Sequence, residues 1–157
     1  METGQQLAAR LCDLLLDGRW IANTNYQEQL ADLSWKEATQ QIRSLNSLAA
    51  LTFHVDYYLA GIIQVFEGGE LSIRDKYSYD LPPIQSQQDW EALRQQFLDN
   101  AQKFVEYVAD MAAEQLAAPF VMAQYGDFRR NIEGVIEHAY YHFGQLVIIK
   151  KMIREGE

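Results

Sequence analysis

The chain has 157 residues, 48% of them hydrophobic and 22% charged, with a formal net charge of −9; that is the profile of one globular domain with a substantial core. The acidic balance and the lack of a basic stripe exclude a nucleic-acid footprint, and no run reaches the ~18 apolar residues of a membrane span. The N-terminus lacks a basic segment ahead of its apolar part and does not read as a secretory signal, and the lone Cys12 cannot form an internal disulfide, which points to a reducing cytoplasm.

Apolar spacing predicts four helices and no strands. The first covers about 3–17, with Leu7, Leu11, Leu14 and Leu15 on one side and Gly18 as its stop. Cys12 reads as a small core or helix-face residue, since nothing nearby in sequence lowers its pKa. Segment 19–33 is ambiguous: Asn23-Thr24-Asn25 favours turns, and 25–33 suits a short helix. The second predicted helix opens at Ser34, which forms a capping box with Glu37, and runs to about 67, ahead of Gly68-Gly69. Its Leu48, Leu51, Val55, Tyr58, Ile62 and Val65 recur at helical spacing and form a core-facing stripe that His54 borders.

Residues 69–86 carry glycines, Pro82-Pro83 and mixed charge, and form a long connection. A helix over 34–67 is about 50 Å long, and an extended segment of this length can return along it. The expected architecture is therefore an all-α, up-down-down-up four-helix bundle, single-domain over 1–157, with a crossover between parallel second and third helices. The same loop, with Arg74, Asp75, Lys76, Tyr77 and Tyr79, could cover a site mouth. The third predicted helix starts at Ser86 or Gln87 and buries Leu93, Phe97, Phe104, Val108 and Met111. Ala117-Ala118-Pro119 and Tyr125-Gly126 break the pattern. The fourth runs from Asp127 or Phe128 to Arg154, with Ile132, Val135, Ala139, His142, Leu146, Ile149 and Ile153 as its interior stripe. Lys150, Lys151 and Arg154 stand at its end, where cations complement the helix dipole.

All three histidines fall where one metal ion could be held. His138 and His142 form an H-x-x-x-H pair one turn apart, and His54 lies at a matching depth in the second predicted helix. Imidazole is the commonest ligand for zinc, nickel and iron, and three of them leave coordination positions free. Around them, Gln145 could orient a ligand ring or a bound water. Asn131 could bind substrate or cap its own helix, Gly134 could leave room for a ligand or for close packing, and Tyr58 could donate to an anion or fill the core. Asp56 and Glu137 point away around the helix and read as surface residues. Tyr140 and Tyr141 read as packing or rim residues.

These residues resemble the DinB/YfiT-like superfamily: four helices, a histidine midway along the second, and His138-Ala-Tyr-Tyr-His142-Phe-Gly144-Gln145-Leu146 in the last. The segments DKYSYDLPPIQSQQDW and YGDFRRNIEGVIEHAYYHFGQL are similar to an uncharacterised bacterial branch of it. The resemblance covers nearly the whole chain. It implies a divalent metal on His54, His138 and His142, nickel or zinc first and iron or manganese next, a frequent homodimer, and no polymerase activity. It also implies reactions in which a low-molecular-weight thiol is transferred to a small electrophile. The expected activity is thus metal-dependent S-transfer. Metal-dependent hydrolysis, or non-catalytic, stress-related binding of a small ligand or metal, is the alternative.

Overall fold

The computed structural model describes residues 1–156. Among them are seven α-helices: α1 (Gly4–Leu15), α2 (Tyr26–Ala31), α3 (Trp35–Thr39), α4 (Leu48–Phe66), α5 (Gln87–Ala109), α6 (Ala113–Leu116) and α7 (Phe128–Glu155). No strand occurs among the described residues, and a single isolated bridge joins Pro119 to Asp127. The all-α expectation is met. The four longest helices pack on one another, α5 against α1 and α4, and α7 against α4 and α1.

Each long helix begins at a side chain that satisfies an orphan backbone N–H. Thr3 and Gln6 form a reciprocal capping box on α1, Ser47 caps α4, Ser86 caps α5 and Asp127 caps α7. The apolar stripes then turn inward: Leu51, Val55 and Ile62 of α4, Phe97, Phe104 and Val108 of α5, and Ile132, Ala139 and Leu146 of α7 are all buried. Burying a side chain of this size contributes about 1.5–3 kcal/mol. At Gly4 a Cβ would collide with the carbonyl oxygens of Val108 and Met111, so only glycine lets the start of α1 meet the end of α5.

The second predicted helix is not continuous. The Ser34–Glu37 capping box forms, but it caps only the short α3. The chain leaves helical geometry after Thr39 and turns through Arg43 at φ +52° before Ser47 starts α4. With 19 residues, α4 is about 28 Å long, not about 50 Å. The cause is local chemistry that apolar spacing does not register: the Ser47 hydroxyl accepts from the Ala50 N–H and starts a new helix, after Arg43 has taken a left-handed φ that a helix interior does not accommodate. By length and composition α4 could cross a membrane, yet most of it is buried inside the protein; the strict apolar-run criterion missed this because His54 and Asp56 interrupt the segment.

The ambiguous segment 19–33 supplies a central anchor. Ala22 and Asn23 both take positive φ in the turn before α2. Tyr26 is fully buried, its ring lies 4.8 Å from Phe143 and 5.3 Å from Phe97, and its hydroxyl donates to the Ala139 carbonyl at 2.8 Å. Lys150 is also buried and donates to the Gln29 carbonyl at 2.6 Å and to Asp32 at 2.8 Å. It ties α7 to the end of α2, a more specific role than complementing a helix dipole. Lys150 and Arg154 together pull the Asp32 carboxyl down to about 2.

Asp56 overturns the expectation of a surface residue. It is 1% exposed at the α4–α5 contact and accepts from Gln96 Nε2 at 2.7 Å and Asn100 Nδ2 at 2.8 Å. Burial pushes its carboxyl up, while the two amide donors pull it back. Its place on the helix turns it away from the histidines, but that side of α4 faces α5 and not water. Asp56→Ala leaves two amide groups without their acceptor and is expected to destabilise the fold by about 2 kcal/mol, measured by urea unfolding. A change below about 0.5 kcal/mol, the usual surface range, would show that the pair is dispensable.

Candidate metal centre

α4 contributes His54, and α7 contributes His138 and His142 from successive turns of one face. One ring nitrogen of each lies within 4.8 Å of the others, a group able to hold a metal ion. The closest approach is 3.0 Å, between Nε2 of His54 and Nε2 of His138. His54 and His142 are buried and His138 is half-buried.

The rings are held from behind. His54 Nδ1 lies 3.2 Å from the Ser78 carbonyl, and His142 Nδ1 lies 2.7 Å from Gln145 Oε1. Both oxygens only accept, so both Nδ1 atoms carry the proton and both Nε2 atoms are left as lone pairs. This is the arrangement that fixes the tautomer of a metal-binding histidine. Burial also disfavours the charged form of all three rings. Desolvation lowers the His54 and His142 values, and desolvation together with the neighbouring His142 and His54 lowers His138 to about 4. A neutral three-imidazole donor set suits a borderline divalent cation such as zinc or nickel.

One side of the centre is covered by residues 67–86. Gly61 makes this possible, since a Cβ there would collide with Ile73. Tyr57 both donates to the Arg74 carbonyl and accepts from the Arg74 N–H, at 3.0 and 2.8 Å. Tyr58 donates to Asp75 at 2.8 Å, and the Tyr79 ring stacks on His54 with centroids 4.0 Å apart and planes 8° from parallel. The loop thus closes over His54 with a carbonyl, a ring and a carboxylate. The Ser78 carbonyl could not have been found from the sequence, because a backbone acceptor leaves no residue signature.

The other side is open. A cleft of about 540 Å³ runs along the first half of α7 to His138, lined by Tyr58, Ile62, Tyr125, Arg130, Asn131 and Gly134 among others. Asn131 donates its amide to the carbonyls of Tyr125 and Asp127 and so caps its own helix, while it also lines this cleft. Nothing lies within 4 Å of a Cβ built at Gly134, so that glycine serves open space and not close packing. Tyr58 stands edge-on to His138 with its hydroxyl committed to Asp75. Glu137 is exposed and pairs with Arg130. Cys12 is remote in role: its thiol donates to Asp17, and burial and that carboxylate push its pKa up.

Two outcomes follow. Gln145→Leu removes the acceptor that orients His142 and is expected to weaken zinc or nickel binding by about 10–100-fold, read by competition with a chromophoric chelator; unchanged affinity would show that Gln145 has no part in the centre. The depressed histidine values mean that the unfolded chain binds more protons than the folded one between roughly pH 6.5 and 4. Chelator-treated protein should therefore lose melting temperature as pH falls through that window, and His138→Phe should flatten the loss. An equally steep fall in the variant would place the effect elsewhere.

Comparison with known proteins agrees with this architecture. No curated protein and no solved structure matches the chain significantly. The family model of the DinB superfamily matches residues 21–146, a span that takes in α2 through most of α7 with all three histidines and Gln145, and the chain belongs to the DinB superfamily.

Proposed function

We propose that this chain is a divalent-metal-dependent enzyme that joins a small thiol to a small electrophile. The observation that carries the reading is the contrast between the two sides of the triad: the Nε2 lone pairs of His54 and His142 are freed by Ser78 and Gln145, residues 67–86 close over His54, and a cleft of about 540 Å³ reaches His138. A closed structural site has no use for such an approach. His54, His138 and His142 would hold the cation, nickel or zinc before iron or manganese. A divalent cation there supplies Lewis acidity, lowering the pKa of a thiol at neutral pH. In the reaction a sulfur–carbon bond forms, the leaving group departs with its electron pair, and the thiol proton passes to solvent.

The residues of the chain do the positioning. Ser78 and Gln145 hold two rings in one tautomer, Tyr79 shields His54 from water, and the cleft takes the substrate against His138. We further assign an up-down-down-up bundle. Asp56 bonds Gln96 and Asn100 while Glu67 meets Lys103 and Tyr107, which supports parallel α4 and α5. Leu51 shares a hollow with Ile149, and Tyr58 shares the cleft with Asn131, which supports antiparallel α4 and α7. A cytoplasmic homodimer completes the proposal, supported by Tyr141 and Ile148, which stand exposed two turns apart on α7.

The test is metal content by mass spectrometry on untagged protein beside His138→Ala/His142→Ala, followed by thiol–electrophile turnover assays. Near-stoichiometric metal and turnover, both lost in the double variant, are expected. Full metal occupancy with no turnover across thiol–electrophile panels and across ester and amide panels would reduce the protein to a metal-binding one. No metal in either form, with no uptake of added zinc or nickel, would end the reading.

A further inference from the structure

We propose that the cleft beside His138 selects a carboxylate-bearing substrate, held by the guanidinium of Arg130 with its reactive atom directed at the histidine triad. This rests on the enzymatic reading above and names the class of molecule it acts on. Among the described residues that line the cleft, Arg130 is the one charged side chain apart from the neutral His138, on a chain whose net charge is −9. The remaining lining is apolar or uncharged: Ile62 and Val135 as walls, Tyr58 and Tyr125 as aromatic faces, and the amides of Gln124 and Asn131. Asp75 approaches from the loop side and takes the Tyr58 hydroxyl, and it does not line the cleft.

Arg130 already binds a carboxylate. Its Nη1 lies 3.2 Å from Glu137, and both side chains are about 60% exposed. An exposed pair of this kind contributes at most about 1 kcal/mol, so an incoming carboxylate that can use the planar fork of the guanidinium can displace it. The two residues are seven apart on α7, and they meet over the turn that contains Gly134. His138 lies one turn beyond Gly134, and it and Arg130 both line the cleft. Arg130 and His138 are eight residues apart on α7, about 12 Å of rise, which the Arg130 side chain shortens by reaching toward Glu137; a small acid can span the remainder. Gly134 matters here because a side chain at that position would meet no protein atom and would project into the space the substrate needs.

The probes are 4-phenylbutanoate and 4-phenylbutanamide, which share shape and differ in charge; neither carries a thiol. They are titrated into the full-length protein as purified, followed by NMR shifts of the α7 amides. The acid should bind about three- to five-fold tighter than the amide, the limit for a charge pair at this exposure. Arg130→Met should remove that preference and leave the amide unaffected. Glu137→Gln should tighten the acid alone by a few-fold. Gly134→Leu should weaken both probes while melting temperature and metal content stay unchanged. Equal affinity for acid and amide in the unaltered protein, no binding of either, or a preference that survives Arg130→Met would overturn the proposal. The acid preference is also measured in His138→Ala/His142→Ala. Its persistence there, with metal lost, supports the cleft whatever becomes of the enzymatic reading; metal content and turnover without acid preference sink this proposal alone.

Discussion

Two imidazole nitrogens lie 3.0 Å apart, a separation that requires a shared proton or a cation between the rings. Everything around the centre follows from meeting that constraint without charge. His54 cannot solve it by turning its protonated nitrogen inward, because its Nδ1–H is already bonded to the Ser78 carbonyl. His142 is bound in the same sense by Gln145. Protonating a third ring would bury charge beside two neutral neighbours, which is why desolvation and the adjacent rings depress His138 so far. What results is a cluster of neutral rings in which a proton on His138 Nε2 bridges to His54 Nε2, a proton that a divalent cation can replace.

That cluster is only as good as the contacts that hold α4 and α7 at this separation. The buried hydroxyl of Tyr26 bonds the carbonyl of Ala139, between the two α7 histidines in sequence, and its ring wedges against Phe97 and Phe143. On the opposite side of α4 from its histidine, Asp56 engages two amides of α5. A polar contact of this kind is direction-specific in a way that leucine packing is not. It favours one axial register of α4 on α5, and with it one height for His54 relative to the α7 pair.

Much of this was legible from residue order. The four apolar stripes, the Ser34 cap, helix starts near Thr3, Ser86 and Asp127, and the placing of three histidines at one depth are all legible in the residue order. Periodicity is a strong signal over long helices, and capping side chains are short-range chemistry. The failures are equally physical. The break between α3 and α4 escaped because apolar spacing does not register the left-handed turn at Arg43 or the Ser47 cap that starts a new helix. Asp56 escaped because a helix wheel tells which residues share a face and not what lies opposite that face. The Ser78 carbonyl escaped because it belongs to the backbone of a loop, where neither period nor residue type marks a hydrogen-bond acceptor.

The loop over residues 67–86 also bears on how this protein can vary. Connections are ordinarily where chains gain and lose residues at little thermodynamic cost, since loop-closure entropy changes slowly with length. Between Arg74 and Tyr79 that freedom is absent: Tyr57 grips the backbone at one end, Tyr79 lies flat on His54 at the other, and the Ser78 carbonyl must arrive at one ring nitrogen. An added residue in that stretch would carry the carbonyl or the ring off its target. A new chain terminus, a grafted epitope or a domain insertion would thus be better tolerated near Pro82 and Pro83, beyond the last of these attachments, than anywhere in the short stretch that shields the histidines.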